Sequence, residues 1–303
     1  MGVRELVRVV EESGVFAGEP LWREAFLAVP RHLFVPYFYV AGVGGYRRVW
    51  KEDPDPRVRE RWWRGVYEDV PLATRVRDGE LVSSSSQPSL MALMLVALDV
   101  RDGDRVLEVG AGSGYNAGLL AHRLGDRGVV SVDLEPEIVE SARRHLADAG
   151  CRPTVVVGDG ARGVPEGAPY DRVVATCGVR TVPEAWVRQC RVGGRILVPV
   201  ASGLVLLRVV GEGRAEGRFL GTPAYFVQLR GVGERREGVE VEGEEGFRFM
   251  AGLVEGVVGA GEAYEVWERE GRPGRERFGV SVEGGRVWAW LDSPGGACSW
   301  VLR

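Results

Sequence analysis

Apolar positions recur three and four residues apart at the start of the chain, where MGVRELVRVVEESG reads as an amphipathic helix with acidic residues on its polar side and not as a signal peptide. Up to about residue 80 the chain is rich in arginine and aromatics. Pro30 and Pro36 break the helical spacing, and DPDP at 53–56 reads as an exposed turn, so the expectation for 1–80 is a helical, substrate-side segment. From 88 the pattern alternates. PSLMALMLVALDV predicts an apolar helix, DRVLEVG a buried strand, YNAGLLAHRLG a helix stopped by Gly125, and GVVSVDL a second strand. EPEIVESARRHLADAG follows as a helix ended by Gly150, PTVVVGDG as a third strand and YDRVVATCG as a fourth. PEAWVRQCRVGG then predicts a helix and RILVPV a fifth strand.

Short connections between alternating strands and helices imply a parallel sheet wrapped by helices, a Rossmann-like α/β core over 81–210. After 210 the texture changes. EGRFLGTPAYFVQLRGV looks extended, GVGERREGVEVEGEEG reads as a loop, FRFMAGLVEGVVGAG as a helix, and RFGVSVEGGRVWAWLDSPGG as a hairpin turning at Glu283-Gly284-Gly285. Residues 211–303 are thus expected as an α+β extension.

Composition narrows the classes. The 303 residues are 45% apolar and 27% charged, with a mean hydropathy of −0.08, which fits a globular chain with a full core and excludes disorder throughout. No apolar run approaches the ~18 residues of a spanning helix, so no membrane partner is expected and the expected location is the cytoplasm. With 39 basic and 43 acidic residues and no basic tail, nucleic-acid binding is not expected either. Lys51 is the single lysine, a bias that fits a GC-rich genome better than a phosphate-binding role. Cys151, Cys177, Cys190 and Cys298 form no CxxC pair and there are three histidines, so no metal site is expected.

The strongest chemical signal is Val106-Leu107-Glu108-Val109-Gly110-Ala111-Gly112-Ser113-Gly114-Tyr115, at the turn from the first core strand into a helix. A dinucleotide fingerprint requires a third glycine where Tyr115 stands. Glycines at 110, 112 and 114 after Glu108 suit S-adenosylmethionine instead: it has no pyrophosphate to cradle, and an acid tolerates its cationic amino-acid end. Asp133, with Leu134 beside it, ends the second strand where a carboxylate can accept from ribose hydroxyls. Asp159, with Gly160, follows the third strand and can accept from an adenine amino group.

These residues and their flanks resemble the protein-L-isoaspartate O-methyltransferase family. The likeness runs from about 67 to 200: Tyr67-Glu68-Asp69 with Pro71-Leu72, Ser86-Gln87-Pro88, VLEVGAGSGYNAGLLA, GDGARGVPEGAPYDRVVAT and GGRILVPV, with Arg31-His32-Leu33-Phe34-Val35-Pro36 upstream. It implies a class I S-adenosylmethionine-dependent methyltransferase fold. Three departures stand out: a longer connection (ATRVRDGELVSSS) before SQP, Thr176-Cys177-Gly178-Val179 in place of an alanine-rich segment, and about a hundred residues beyond the usual end of a repair enzyme. The serine run, EGRFL and the terminal hairpin resemble a subgroup that accompanies ribosomal peptides crosslinked by ATP-grasp ligases (graspetides). The subgroup implies methylation of an aspartate in such a peptide, the ester then closing to a succinimide. Isoaspartate repair is the alternative, and a non-catalytic peptide-binding scaffold the alternative from another class.

Methyl transfer to a carboxylate of pKa about 4 needs no general base at neutral pH, so the lack of a convincing His/Asp or Cys/His pair does not count against an enzyme. The resemblance implies that Ser86 aims the acceptor carboxylate, with Ser85 and Ser84 as weaker candidates; Gln87 and Thr176 are further substrate-side candidates. Tyr67 and Asp69 shape the substrate mouth or, equally, are a buried tyrosine and a capping aspartate. Trp62 and Trp63, flanked by Arg61 and Arg64, could grip an acidic peptide, although an ordinary amphipathic helix is the stronger reading. His122 and His145 read as surface or core fillers.

Overall fold

A computed structural model describes residues 2–231 and 242–302; residues 232–241, within the expected glutamate-rich loop, lie outside the described residues. The chain forms two compact units, residues 1–158 and 159–303.

The first unit opens with the expected amphipathic helix α1 (Val3–Glu12), which buries Leu6, Val7 and Val10, and continues with α2 (Pro20–Ala28). Two strands then form a hairpin, β1 (Tyr37–Gly42) and β2 (Gly45–Trp50), followed by α3 (Pro56–Val66), where Asp55 caps the first turn by accepting from Arg57 N. A second hairpin, β3 (Leu72–Arg77) and β4 (Glu80–Ser85), leads into α4 (Pro88–Leu98). The N-terminal segment is therefore not purely helical: the order β2-β1-β3-β4 makes an antiparallel sheet of it. The serine run, expected as loop, lies largely on β4, with Ser85, Ser84 and Ser83 opposite Leu72, Ala73 and Arg75. Its two-residue turn is Asp78-Gly79, both at positive φ (53° and 81°), the geometry that matches strand twist in a tight hairpin.

The Rossmann-like part of this unit follows the expected alternation: β5 (Val106–Val109), α5 (Tyr115–Leu124), β6 (Val129–Asp133), α6 (Pro136–Asp148) and β7 (Thr154–Val157). The three strands pair in parallel, β5 with β6 and β6 with β7. Every residue of β5 is buried, as a strand covered on both faces requires. Tyr115, at the start of α5, is buried against Phe26 and Phe34, so the ring that would obstruct a dinucleotide-type turn instead ties this helix to the N-terminal segment.

In the second unit β8 (Tyr170–Ala175) pairs in parallel with β9 (Cys190–Val200), and α7 (Glu184–Gln189) connects them. From there the sheet turns antiparallel through β10 (Gly203–Gly211) and β11 (Arg214–Pro223). Two helices intervene, α8 (Glu245–Leu253) and α9 (Ala260–Arg269); α8 ends well short of the expected helix, whose glycines continue as a turn with Gly256 at φ +78°. The sheet then resumes with β12 (Phe278–Glu283), β13 (Arg286–Leu291) and β14 (Ser299–Leu302). The expected hairpin at Gly284-Gly285 is present, with Glu283 opposite Arg286. Phe249 packs edge-on to Phe219 and Phe278, which holds α8 on this sheet. Among the described residues no helix is long and apolar enough to cross a membrane.

Candidate active site

The glycine turn after β5 is built by backbone conformation. Gly110, Gly112 and Gly114 all take positive φ (99°, 51° and 85°), and Gly110 N donates to Val132 O at 2.8 Å, locking the turn onto the end of β6. Gly112 N donates to Asp133 Oδ2 at 3.0 Å, so the acid at the end of β6 and the glycine turn form one surface. A Cβ on Gly112 would sit 3.6 Å from Ser83 Oγ and from Ser84 O, so the turn also passes close to β4. Leu134 is half-buried beside Asp133.

Glu108 lies wholly inside. Asn116 Nδ2 donates to its Oε1 at 2.8 Å, and the Ser131 hydroxyl donates to its Oε2. Burial pushes its carboxyl up to about 7, against the lowering effect of the Ser131 and Asn116 hydrogen bonds. The acid before the glycines therefore ties β5 to α5 and β6 from within.

The expected substrate-side residues gather around one whose role the sequence left unassigned. Arg31, 1% exposed, donates to five backbone carbonyls, those of Val66, Glu68, Val70, Ser85 and Ser86, at 3.0–3.3 Å, and to Ser85 Oγ at 3.3 Å. Burial lowers its pKa to about 10, so the guanidinium is charged at neutral pH. It welds the Tyr67–Val70 segment to the SSQ corner. On the other side of that corner Asp69 accepts from Ser89 N at 2.8 Å and from Gln87 Nε2 at 3.1 Å. Asp69 thus holds the start of α4, and Gln87 is held by Asp69 and Ser89.

Ser85 is 3% exposed with its hydroxyl against Arg31, whereas Ser83, Ser84 and Ser86 are half-buried. Tyr67 is 1% exposed and hydrogen-bonds His32 Nδ1; burial pushes its phenol up to about 12, and burial also lowers His32. Trp62 is core, its indole donating to Val35 O at 2.9 Å, while Trp63 is exposed and stacks near His32 and Tyr67.

A cavity of about 200 Å³ opens beside the glycine turn, bounded by Gly112 and Ser113, by Thr74, Arg75 and Ser83 of the second hairpin, and by α6. His145, expected as filler, lines it and donates from Nδ1 to Ser113 O at 3.0 Å, a carbonyl acceptor that fixes the proton on that nitrogen.

Three candidates belong to the second unit. Asp159 caps a single helical turn by accepting from Ala161 N at 3.0 Å, Gly160 is buried with its carbonyl accepting from Trp186 Nε1 at 2.8 Å, and Thr176 follows β8 half-buried. Just beyond Thr176, Gly178 N donates to Val227 O at 2.9 Å and Gly178 O accepts from Leu229 N at 2.8 Å. The extended segment after β11 therefore grips the backbone that follows β8. Together the first-unit residues bring a glycine turn, the Asp133 carboxylate and a serine corner held by a buried cation next to one another.

The family profile for protein-L-isoaspartate (D-aspartate) O-methyltransferases matches residues 56–219. The protein-L-isoaspartate O-methyltransferase of Ignicoccus hospitalis is 37% identical over 199 residues, 65% of this chain and 81% of that protein. That of Thermotoga maritima is 47% identical over 137 residues, 45% of this chain and 43% of its own length. A solved protein-L-isoaspartate O-methyltransferase superposes with a TM-score of 0.66 at 25% identity, covering 99% of this chain and 98% of its own. A beta-aspartate methyltransferase from Plasmodium falciparum, solved with S-adenosyl-L-homocysteine, aligns with a TM-score of 0.57 at 16% identity, covering 76% of this chain and 99% of its own. The length expected to set this chain apart from repair enzymes thus has a counterpart in a solved protein of that description.

Proposed function

Because this chain belongs to the protein-L-isoaspartate O-methyltransferase family, and is accordingly an S-adenosylmethionine-dependent protein carboxyl O-methyltransferase with the class I fold, we propose that its acceptor is the free α-carboxylate of an isoaspartyl residue, whose side-chain carbonyl carries the peptide bond. The observation that carries this reading is the Ser83–Gln87 corner, set against Gly112 on one side and fixed by Arg31 on the other.

When bound, the cofactor supplies an electrophilic methyl on sulfur. Gly110, Gly112 and Ser113 approach it with backbone, Asp133 accepts from its ribose, and Asp159 and Gly160, directly after β7 in the chain, serve its adenine side. Leu134 packs beside Asp133, and Glu108 acts from inside by holding the turn. Ser86 donates its hydroxyl to the acceptor carboxylate and aims one oxygen; Ser84 and Gln87 flank the peptide, Asp69 holds the corner, and Ser85 and Tyr67 support it from the core, while Thr176 is the substrate-side candidate of the second unit. The acceptor is ionised at neutral pH, so these residues contribute by alignment and by excluding water, and no proton has to be removed. The methyl ester has a better leaving group than the free acid, and attack by the following backbone nitrogen closes a succinimide with loss of methanol.

A second reading keeps the chemistry and changes the acceptor to an aspartate of a ribosomally made peptide crosslinked by an ATP-grasp ligase. It is favoured by the serine run on β4 and by the extended second hairpin. Incubating the enzyme and cofactor with an isoaspartyl peptide and with a crosslinked acidic peptide, followed by intact mass, separates the two. A methyl gain on the isoaspartyl peptide is expected; methylation or loss of water on the crosslinked peptide alone assigns the second reading.

A further inference from the structure

The cavity beside the glycine turn is one-sided in its chemistry. Its rim and walls carry Phe34, Pro36, Tyr37 and Ile138 on the apolar side, and Thr74, Arg75, Ser83, Ser141, Arg144 and His145 on the polar side. Two guanidinium groups and five hydroxyl-bearing residues, Tyr37 and Ser113 included, are among the lining residues, and no carboxylate is. The two acids at the start of α6 are already engaged, while Asp148, one turn beyond Arg144, acts on His145 in the opposite sense to Lys51. Arg75 pairs with Glu137 and lies 3.8 Å from Glu135, and Arg77 binds Glu135 at 2.8 Å, so both carboxylates of the α6 start are turned to the hairpin. Arg144 hydrogen-bonds Ser141 Oγ at 3.2 Å and pairs with no carboxylate among the described residues. Lys51 is close enough to His145 to oppose its protonation. His145, with Nδ1–H committed to Ser113 O, presents its other nitrogen as an acceptor when neutral.

We propose that this cavity is a subsite for a second carboxylate of the peptide substrate, an aspartyl or glutamyl side chain near the acceptor residue, with Arg144 as its main charge partner. The inference rests on the carboxyl-methyltransferase reading above. A donor-lined recess of about 200 Å³, with Arg144 as a cation not paired to a carboxylate among the described residues, has room for one acidic side chain, and its apolar rim covers the methylene stem. The hydroxyls of Ser83, which accepts from Thr74 Oγ1 at 3.3 Å, and of Ser141 complete the coordination of a carboxylate that Arg144 alone would hold loosely. Gly112 and Ser113 form both the cofactor turn and a wall of this recess, so a side chain seated here belongs to a peptide whose acceptor lies at the turn. The enzyme then selects acidic sequence contexts.

The test uses the full enzyme and four isoaspartyl peptides, with glutamate or glutamine placed two residues before or two residues after the acceptor. Expected is a KM about fivefold lower for one of the glutamate peptides than for its glutamine partner, the size a partly exposed charge pair gives. In R144Q that difference collapses, while kcat and the KM for the glutamine peptides stay at wild-type values and thermal melting shows the fold intact. Equal KM for glutamate and glutamine peptides in the wild type, or a glutamate preference unchanged in R144Q, overturns the proposal. Turnover of the glutamine peptides reports on the parent reading independently: if none of the four peptides is methylated, that reading fails and this subsite, defined by it, falls with it.

Discussion

Arg31 and Glu108 are charged side chains buried without an opposite charge bonded to them, and their environments resolve this in opposite ways. Arg31 stays charged because five carbonyls and one hydroxyl solvate it. Replacing it with methionine leaves those carbonyls without donors, at a cost of about 3 kcal/mol or more in denaturant unfolding. R31K restores the charge with fewer donors and should recover part of the stability; equal stability of R31M and wild type would contradict the network. Glu108 is held in the other direction, its carboxyl raised from 4.5 to about 7 by burial. Between those values the folded chain keeps a proton that the unfolded chain has lost, so stability falls as pH rises through the window, and the full penalty is present above it. E108Q removes the titration. Its stability relative to wild type should rise by on the order of 2 kcal/mol from pH 5 to pH 8, read by thermal or denaturant melts.

At the scale of elements, the proposed acceptor corner depends on how α4 begins. Asp69 caps that start and holds Gln87, so D69A should cost about 1 kcal/mol of stability, as cap removals do. Steady-state kinetics should show a larger effect on kcat/KM for peptide, about tenfold, with the cofactor KM unchanged, because only the acceptor side loosens. The alternation of β5 to β9 with its helices was legible in the sequence because buried β-branched runs, glycine stops and short connections all agree there. The glycine turn and Asp133 were legible for the same reason. The four-stranded N-terminal sheet was not. Residues 45–50 (GYRRVW) lack a clean apolar alternation, and the Asp78-Gly79 turn is flanked by charged positions, so helical spacing nearby dominated the reading. The role of Arg31 was hidden because its partners are backbone carbonyls 35 to 55 positions away, which leave no residue-type signature. His145 was passed over because one histidine on a helix has no pattern until Ser113 is seen beside it.

At the scale of the molecule, the second unit explains why the chain continues after the β8–β9 pair. The antiparallel strands β10 to β14 extend that sheet, and residues 227–229 bind the backbone after β8, next to Thr176. The extension therefore braces an expected substrate-side segment, a role that both acceptor readings share. What separates them is the acceptor itself, and the central claim is that a serine corner fixed by Arg31 aims an isoaspartyl carboxylate at the methyl donor. The most direct test is kcat/KM on two peptides of one sequence, isoaspartyl and aspartyl, for wild type and S86A. The account predicts strong preference for the isoaspartyl peptide, with S86A reducing its kcat/KM at least tenfold at unchanged melting temperature. Comparable or better turnover of the aspartyl peptide, or full activity in S86A, would contradict it.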